Sequence, residues 1–281
     1  MRLSRAQRRA RRRTLFVVGL VVVLGAVGAV VAVISLKPQP PAQFESVCTV
    51  ATGTTTKSGT ANVYVLVPDQ AQNASIIAAV AMQMGLPDHA VTVALATAYQ
   101  ESQLENLTYG DLDSVGLFQQ RPSEGWGTPA QIENPVYAAT AFYDHLVQVP
   151  GWETMPVTEA AQMVQHSASP DAYAQWAPEA RSLARALTGE EPQGMACHLD
   201  RFGGHAPLTS TLTSAVTTEL GSPAFGVPVS TKRGWQVAAW AVAHAYNYHL
   251  TSVTFDGRVW TPSSGAWNAA SKTRPAVVVT P

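Results

Sequence analysis

A carboxyl on the core side of a helix end is poorly placed for stability and well placed for proton transfer. Glu101 occupies such a position, closing the apolar stretch Val91-Thr92-Val93-Ala94-Leu95-Ala96-Thr97-Ala98-Tyr99-Gln100-Glu101-Ser102. At 3.6 residues per turn from Val91, the positions Ala94, Leu95, Ala98, Glu101, Ser102 and Glu105 form one stripe, so Glu101 continues the apolar face. Partial burial disfavours its anion, and the negative end of the helix dipole acts in the same direction, so its pKa is expected above the usual carboxylate range. A carboxyl that keeps its proton near neutrality can act as a general acid. A lone Glu at a helix end is more commonly a solvated residue. The residues that follow it decide for chemistry.

Glu101-Ser102, the later Gly116-Leu117-Phe118-Gln119 and the stretch from Ala161 to Trp176 stand in order along the chain. They resemble the three motifs of the lytic transglycosylase and goose-type lysozyme superfamily. Residues from about Asp69 to Leu187 look like an actinobacterial branch of it, through Gly110-Asp111-Leu112-Asp113-Ser114, Gly116-Leu117-Phe118-Gln119-Gln120-Arg121-Pro122-Ser123 and Gly125-Trp126-Gly127. The resemblance covers somewhat under half of the chain. It implies cleavage of the β-1,4 bond between aminosugars of peptidoglycan, by one Glu that serves as acid and then as base while the substrate's N-acetyl group assists at the anomeric carbon. In a transglycosylase the deprotonated Glu101 would take the proton of the muramic acid 6-hydroxyl; in a lysozyme it would activate water. The runner-up is a lysozyme-like module that binds or scaffolds the wall without turnover.

The same resemblance gives Gln119 a hydrogen-bonding role toward sugar N-acetyl or hydroxyl groups, with Ser102 beside the acid. Phe118 stands where the family usually has Met and is expected to shape a wall of the site. A glycosidase with two carboxylates would carry a second acid nearby. Asp111 and Asp113 are the acids that closely follow in a plausible cleft loop, and they are assigned accessory roles. Trp126, Tyr109 and Trp176 are candidates for stacking on sugar faces, although core packing explains any one aromatic equally well. The third family motif, usually Tyr-Asn-Ala-Gly ahead of a Trp, is replaced here by His166, Ser167, Ala168 and Ser169. His166 is the remaining hydrogen-bond donor at that place.

Asp111, Asp113 and Gly116 also suggest a calcium loop, but Val115 and Pro122 fall where that loop needs oxygen ligands, so it is rejected. No metal and no cofactor are expected. The elements that must position these residues read as helices from Pro68 to Gly85, Pro87 to Glu101, Asn134 to Val147, Val157 to His166 and Asp171 to Leu187, preceded by a short strand over Asn62 to Val67. Leu107 to Gly127 has the Gly, Asp, Pro and Ser content of a long structured loop, and a loop packed against a helix end makes a cleft.

The 281 residues carry a formal net charge of -1 that conceals an asymmetry: residues 1–13 hold seven arginines and no acid, leaving 11 basic against 19 acidic residues in the remainder. Residues 14–36 are uncharged and rich in Val, Gly and Ala, long enough as a helix to cross the roughly 30 Å of a bilayer core. With arginines only on its N-terminal side, this transmembrane helix places residues 1–13 in the cytoplasm and the rest outside the cell membrane. A cleaved signal peptide would have a shorter apolar core and a small-residue cleavage site. Residues 37–61 form an extracellular spacer, with Pro-rich and Thr/Gly-rich parts. Cys48 and Cys197 flank the catalytic region, and a bond between them would close it at its neck; two buried unpaired thiols are the alternative, less fitting outside a reducing cytosol.

The expected fold is mainly α: a lysozyme-like helical domain at 62–189, a linker at 190–207 and a small α+β module at 208–281. That module pairs a helical pattern of Val237, Trp240, Ala241, His244 and Tyr248 with a hairpin turning at Asp256-Gly257. Through Gly234-Trp235, the Ala-rich helix and Gly257-Arg258-Val259-Trp260-Thr261 it faintly resembles the C-terminal domain of some actinobacterial wall proteins related to zinc D-alanyl carboxypeptidases. The metal ligands of that family are absent, and His244 and His249 are spaced wrongly to share a helix face, so a non-catalytic, wall-binding role is expected. The expected partners are peptidoglycan strands and the membrane, with no nucleic acid, because the external part is acidic and the arginines lie across the bilayer.

Overall fold

The computed structural model describes residues 46–55, 61–167, 171–200, 212–221 and 224–281. The tail at 1–13, the transmembrane segment at 14–36 and most of the spacer lie outside the described residues. Among those described, no helix is long and apolar enough to cross a membrane.

The chain begins with β1 (Val47–Thr55) and β2 (Ala61–Leu66), followed by α1 (Pro68–Gln83) and α2 (Asp88–Ser102). Then come α3 (Pro129–Ile132), α4 (Pro135–Leu146), α5 (Val157–Gln165), α6 (Ala177–Leu187) and β3 (Met195–His198). The last part holds α7 (Leu212–Leu220), α8 (Thr231–Tyr248), β4 (Ser252–Phe255), β5 (Arg258–Trp260), β6 (Trp267–Ala269) and β7 (Val278–Thr280). The described residues thus form eight α-helices and two small antiparallel sheets, β2-β1-β3 and β6-β5-β4-β7, which is the mainly α, α+β composition expected.

Helix α2 is the axle of the helical part. Every residue from Ala90 to Tyr99 is buried, and α1, α4, α5 and α6 pack around it. A helix apolar on all sides can be satisfied only by such a surround. It stops abruptly because Gln103 and Leu104 both take left-handed backbone, with φ of 56° and 60°. The Gln103 N–H bonds back to the Tyr99 carbonyl at 3.0 Å. Caps fix other starts: Asn134 Oδ1 accepts from the N–H groups of Val136 and Tyr137 at α4, and Ser230 Oγ accepts from Arg233 N–H at α8.

The first sheet closes the neck. β1 is flanked by β2 and β3, Cys48 lies directly opposite Cys197, and the two are joined by a disulfide spanning 149 residues of sequence. Two elements differ from the expectations drawn from composition. Ala51–Thr55, in a Thr/Gly-rich stretch read as spacer, continues β1, and Met195–His198, inside the stretch 190–207 read as linker, is β3. Both are strands because a partner far along the chain supplies the ladder, which local composition does not record.

The C-terminal elements join the same compact unit, which runs from Glu45 to Pro281. Trp260 Nε1 donates to the Cys197 carbonyl at 3.0 Å and Trp267 Nε1 to that of Met195 at 2.8 Å. Helix α8 packs on α1, α6 and β3. Where α8 meets α1 and α7, the fully buried His244 places Nε2 3.0 Å from Glu219 Oε2 and Nδ1 2.9 Å from the Trp240 carbonyl, with Ser75 Oγ 3.2 Å away. Trp240 Nε1 donates to the same Glu219 oxygen at 2.8 Å. His244 is therefore part of the packing between helices, and among the described residues no cluster of ligands suits a metal ion.

Candidate active site

The end of α2 carries Glu101 to the wall of a cavity of about 560 Å³, within the 300–1,000 Å³ typical of small-molecule sites. Gln119, Trp126, Gln165, His166 and Asp111 line the same cavity. Glu101 is half-buried, and loss of hydration pushes its pKa above the ordinary value of about 4.5, opposed by hydrogen bonds from Tyr173 and Gln165 that favour the anion. Tyr173 Oη donates to Glu101 Oε1 at 2.8 Å, which fixes one carboxyl oxygen. The Tyr173 hydroxyl is itself held above its usual range, by burial first and then by the neighbouring carboxylate, so it remains a donor. Ser167 hydrogen-bonds to that hydroxyl in turn.

The opposite wall is a tight loop folded onto the helix end. Val115 and Gln120 exchange backbone hydrogen bonds at 3.0 and 3.1 Å, so residues 116–119 form its tip. Gly116 has φ of +77°, and a Cβ there would meet the Ile132 carbonyl oxygen at 2.6 Å, so glycine is demanded by both backbone and space. At the tip Gln119 adopts left-handed backbone, φ 47°, and its amide donates to the carbonyls of Gly116 and Tyr109 at 3.2 and 3.3 Å. A non-glycine residue in that conformation is uncommon and marks a site held by its surroundings. Trp126 is braced by the ring of His145, 4.0 Å between centroids.

The structure does not give every expected residue a surface toward the cavity. Ser102 is buried and its Oγ donates to the Leu117 carbonyl at 2.7 Å, so it pins the loop to the helix and does not face a ligand. Phe118 is fully buried and stacks on Phe142 at 4.7 Å; it anchors the loop from the core side and does not form the cavity wall. Asp113 accepts from Ser123 N–H at 2.8 Å and Ser123 Oγ at 3.0 Å, and these bonds, the backbone one first, hold its carboxyl below the usual range. It clamps the turn Pro122–Glu124 as an anion. Asp111 does line the cavity, at its rim, with a side chain 93% exposed and 3.6 Å from Arg121. Tyr109 is exposed outside the cavity lining, while Trp176 stacks on Tyr99 at 5.2 Å and donates to Gln100 Oε1 at 2.9 Å.

Tyr173 and Gln165 are the residues that sequence reasoning passed over. Gln165 lies directly before His166 and ties the wall together by donating to the Phe118 carbonyl at 2.8 Å. Tyr173 falls seven residues after the place where the family motif puts its tyrosine, three before Trp176, and that Tyr ahead of a Trp was the available signal. His166 is exposed at the cavity edge with left-handed backbone, φ 50°. No protein-family model matches the chain, and no curated protein matches it.

The arrangement holds one half-buried carboxyl of raised proton affinity beside an open space, with one oxygen fixed by a phenol, facing a loop whose Gln119 spends its amide N–H groups on the carbonyls of Gly116 and Tyr109. The other acids in the cavity lining, Asp111 and Glu124, both lie beside Arg121, at 3.6 and 2.7 Å. A half-buried carboxyl so placed can exchange a proton with a ligand in the cavity.

Proposed function

We propose that the protein cleaves the β-1,4 linkage of peptidoglycan glycan strands, with Glu101 as general acid and then general base. The observation that carries this reading is the Glu101 carboxyl, pushed toward its neutral form by burial and fixed by Tyr173 at 2.8 Å, on a cavity that also holds Gln119 and Trp126. A sugar ring laid against Trp126 would present an apolar face to the indole, while Gln119, whose N–H groups are held by the loop, offers its amide oxygen as an acceptor for acetamido N–H or hydroxyl groups. Protonation of the glycosidic oxygen by Glu101 leaves its carboxylate to take a proton from the incoming hydroxyl, water or the sugar's own. The Tyr173 and Gln165 hydrogen bonds stabilise that anionic intermediate state of the enzyme.

This reading extends to the ordered motif set through which the sequence resembles lytic transglycosylases and goose-type lysozymes. In keeping with it, the arginine-rich start and the apolar stretch 14–36 would tether the catalytic unit to the outer side of the cell membrane. The test is clearing of a purified peptidoglycan suspension by the full-length protein and by Glu101→Gln. Wild type clears and the variant is slower by roughly 10²–10⁴-fold, the usual share of a general acid. Equal clearing by both proteins would exclude the assignment.

A further inference from the structure

Charge is segregated along this chain. Residues 46–200 carry 16 acids and four bases, whereas residues 212–281 carry five bases and two acids. Three of those five bases are Lys232, 3.5 Å from Asp88, Arg233, bonded to the Leu220 carbonyl and Gln236, and Arg258 on β5. Arg258, Lys272 and Arg274 make no side-chain hydrogen bond or ion pair among the described residues, and the last two line a trough of about 330 Å³ on the sheet β6-β5-β4-β7.

Thr254, Val259 and Val278 contribute to the trough, on the face opposite the one that Val253, Phe255 and Trp260 bury in the core. Ser271 stands beside Lys272 in the lining. No acid lines it. The nearby turn residue Asp256 donates its N–H to the Arg274 carbonyl and forms no ion pair with either cation. Two uncompensated cations beside hydroxyls, on an otherwise acidic protein, make a local site for an anion.

We propose that this trough binds a phosphodiester polymer that carries no aromatic bases, of the polyol-phosphate kind. An Arg fork, a Lys point charge and the hydroxyls of Thr254 and Ser271 are all hydrogen-bond donors, and the anionic oxygens that recur along a phosphodiester chain can accept from each of them. The trough is open, so a chain can run through it with successive phosphates near the two cations. No aromatic side chain lines it to stack a base, which argues against a nucleic acid. The site stands independently of the Glu101 reading.

The test is equilibrium binding of full-length protein to poly(glycerol phosphate), to poly-L-glutamate of equal charge and to single-stranded DNA of equal length. Wild type prefers poly(glycerol phosphate). The double variant Lys272→Gln/Arg274→Gln binds it roughly tenfold more weakly with an unchanged melting temperature, and the affinity of wild type falls steeply with salt. Lys232→Gln, a cation outside the trough, leaves binding within about twofold. The proposal is overturned if wild type does not bind the polymer, if the double variant binds as wild type does, if Lys232→Gln weakens binding as much, or if poly-glutamate or DNA binds at least as tightly.

Discussion

At the scale of single residues, the central object is a carboxyl whose surroundings oppose one another. Burial raises the pKa of Glu101 and the donors Tyr173 and Gln165 lower it, and burial wins. A folded-state pKa above the unfolded value near 4.5 means a contribution to stability that is complete below 4.5 and is lost as pH rises through the folded value. Glu101→Gln is therefore expected to melt at a higher temperature than wild type at pH 7.5, with the gap closing as the pH falls through the folded value toward 4.5; a gap that widens in acid contradicts the burial. For Tyr173→Phe the lost hydrogen bond is one to a charged group, worth about 1.5–3 kcal/mol, so turnover should fall roughly tenfold or more. Its alkaline limb should move further up in pH, because a donor that favoured the anion is gone. A pH–rate profile separates this from a general loss of structure. Glu101 was legible in the sequence because the helical stripe and its Ser102 neighbour mark it. Tyr173 was not, since its hydroxyl reaches Glu101 across 72 residues of chain, and no local pattern encodes such a contact. Nor does a motif say which way its members face: Gln119 turns toward the cavity, while Ser102 and Phe118 turn inward.

At the scale of elements, the site is a helix end closed by a loop, and the loop's shape rests on Gly116. Replacing it with Ala forces a Cβ against the Ile132 carbonyl in a backbone region costly for L-residues. Gly116→Ala should lose about 1–3 kcal/mol of stability, read by chemical denaturation, and lose turnover through displacement of Gln119. Stability unchanged from wild type would show that the loop is not held there. The helices were legible because their apolar positions repeat at the helical period and their ends carry Pro, Asn and Ser signals. So was the β4–β5 hairpin, whose turn residues Asp256 and Gly257 both have positive φ, 46° and 72°, as a two-residue turn of this kind requires. Strand β3 was not. Four residues among Gly, Pro and acids become a strand only because Val47–Val50 lies alongside, 147 positions away at Thr49 and Ala196.

At the scale of the whole molecule, the neck disulfide and the docking of α8 tie the described residues into one compact unit. Removing the Cys48–Cys197 bond releases a loop of 149 residues, so Cys48→Ala/Cys197→Ala is expected to lose about 2–5 kcal/mol, measurable as a lower denaturant midpoint. Deleting residues 212–281 strips α8 from α1 and α6 and removes the groups that accompany Ser75 in the buried His244–Glu219 cluster. The shortened chain should therefore melt far below wild type or aggregate; a truncated protein with wild-type stability would instead fit a separate module at 208–281. The sequence showed two kinds of pattern on either side of residue 190, and the difference is real in composition. Whether two patterns share one core is decided by contacts such as Trp260 to Cys197, which composition cannot express.

The measurement that bears most directly on Glu101 as the proton carrier is the mass of the fragments released from purified peptidoglycan. Wild type is predicted to release soluble disaccharide-peptides ending in either an anhydromuramyl or a reducing sugar, which differ by one water, and Glu101→Gln to release essentially none. The same fragments from both proteins at similar rates, or none from either, would contradict the account.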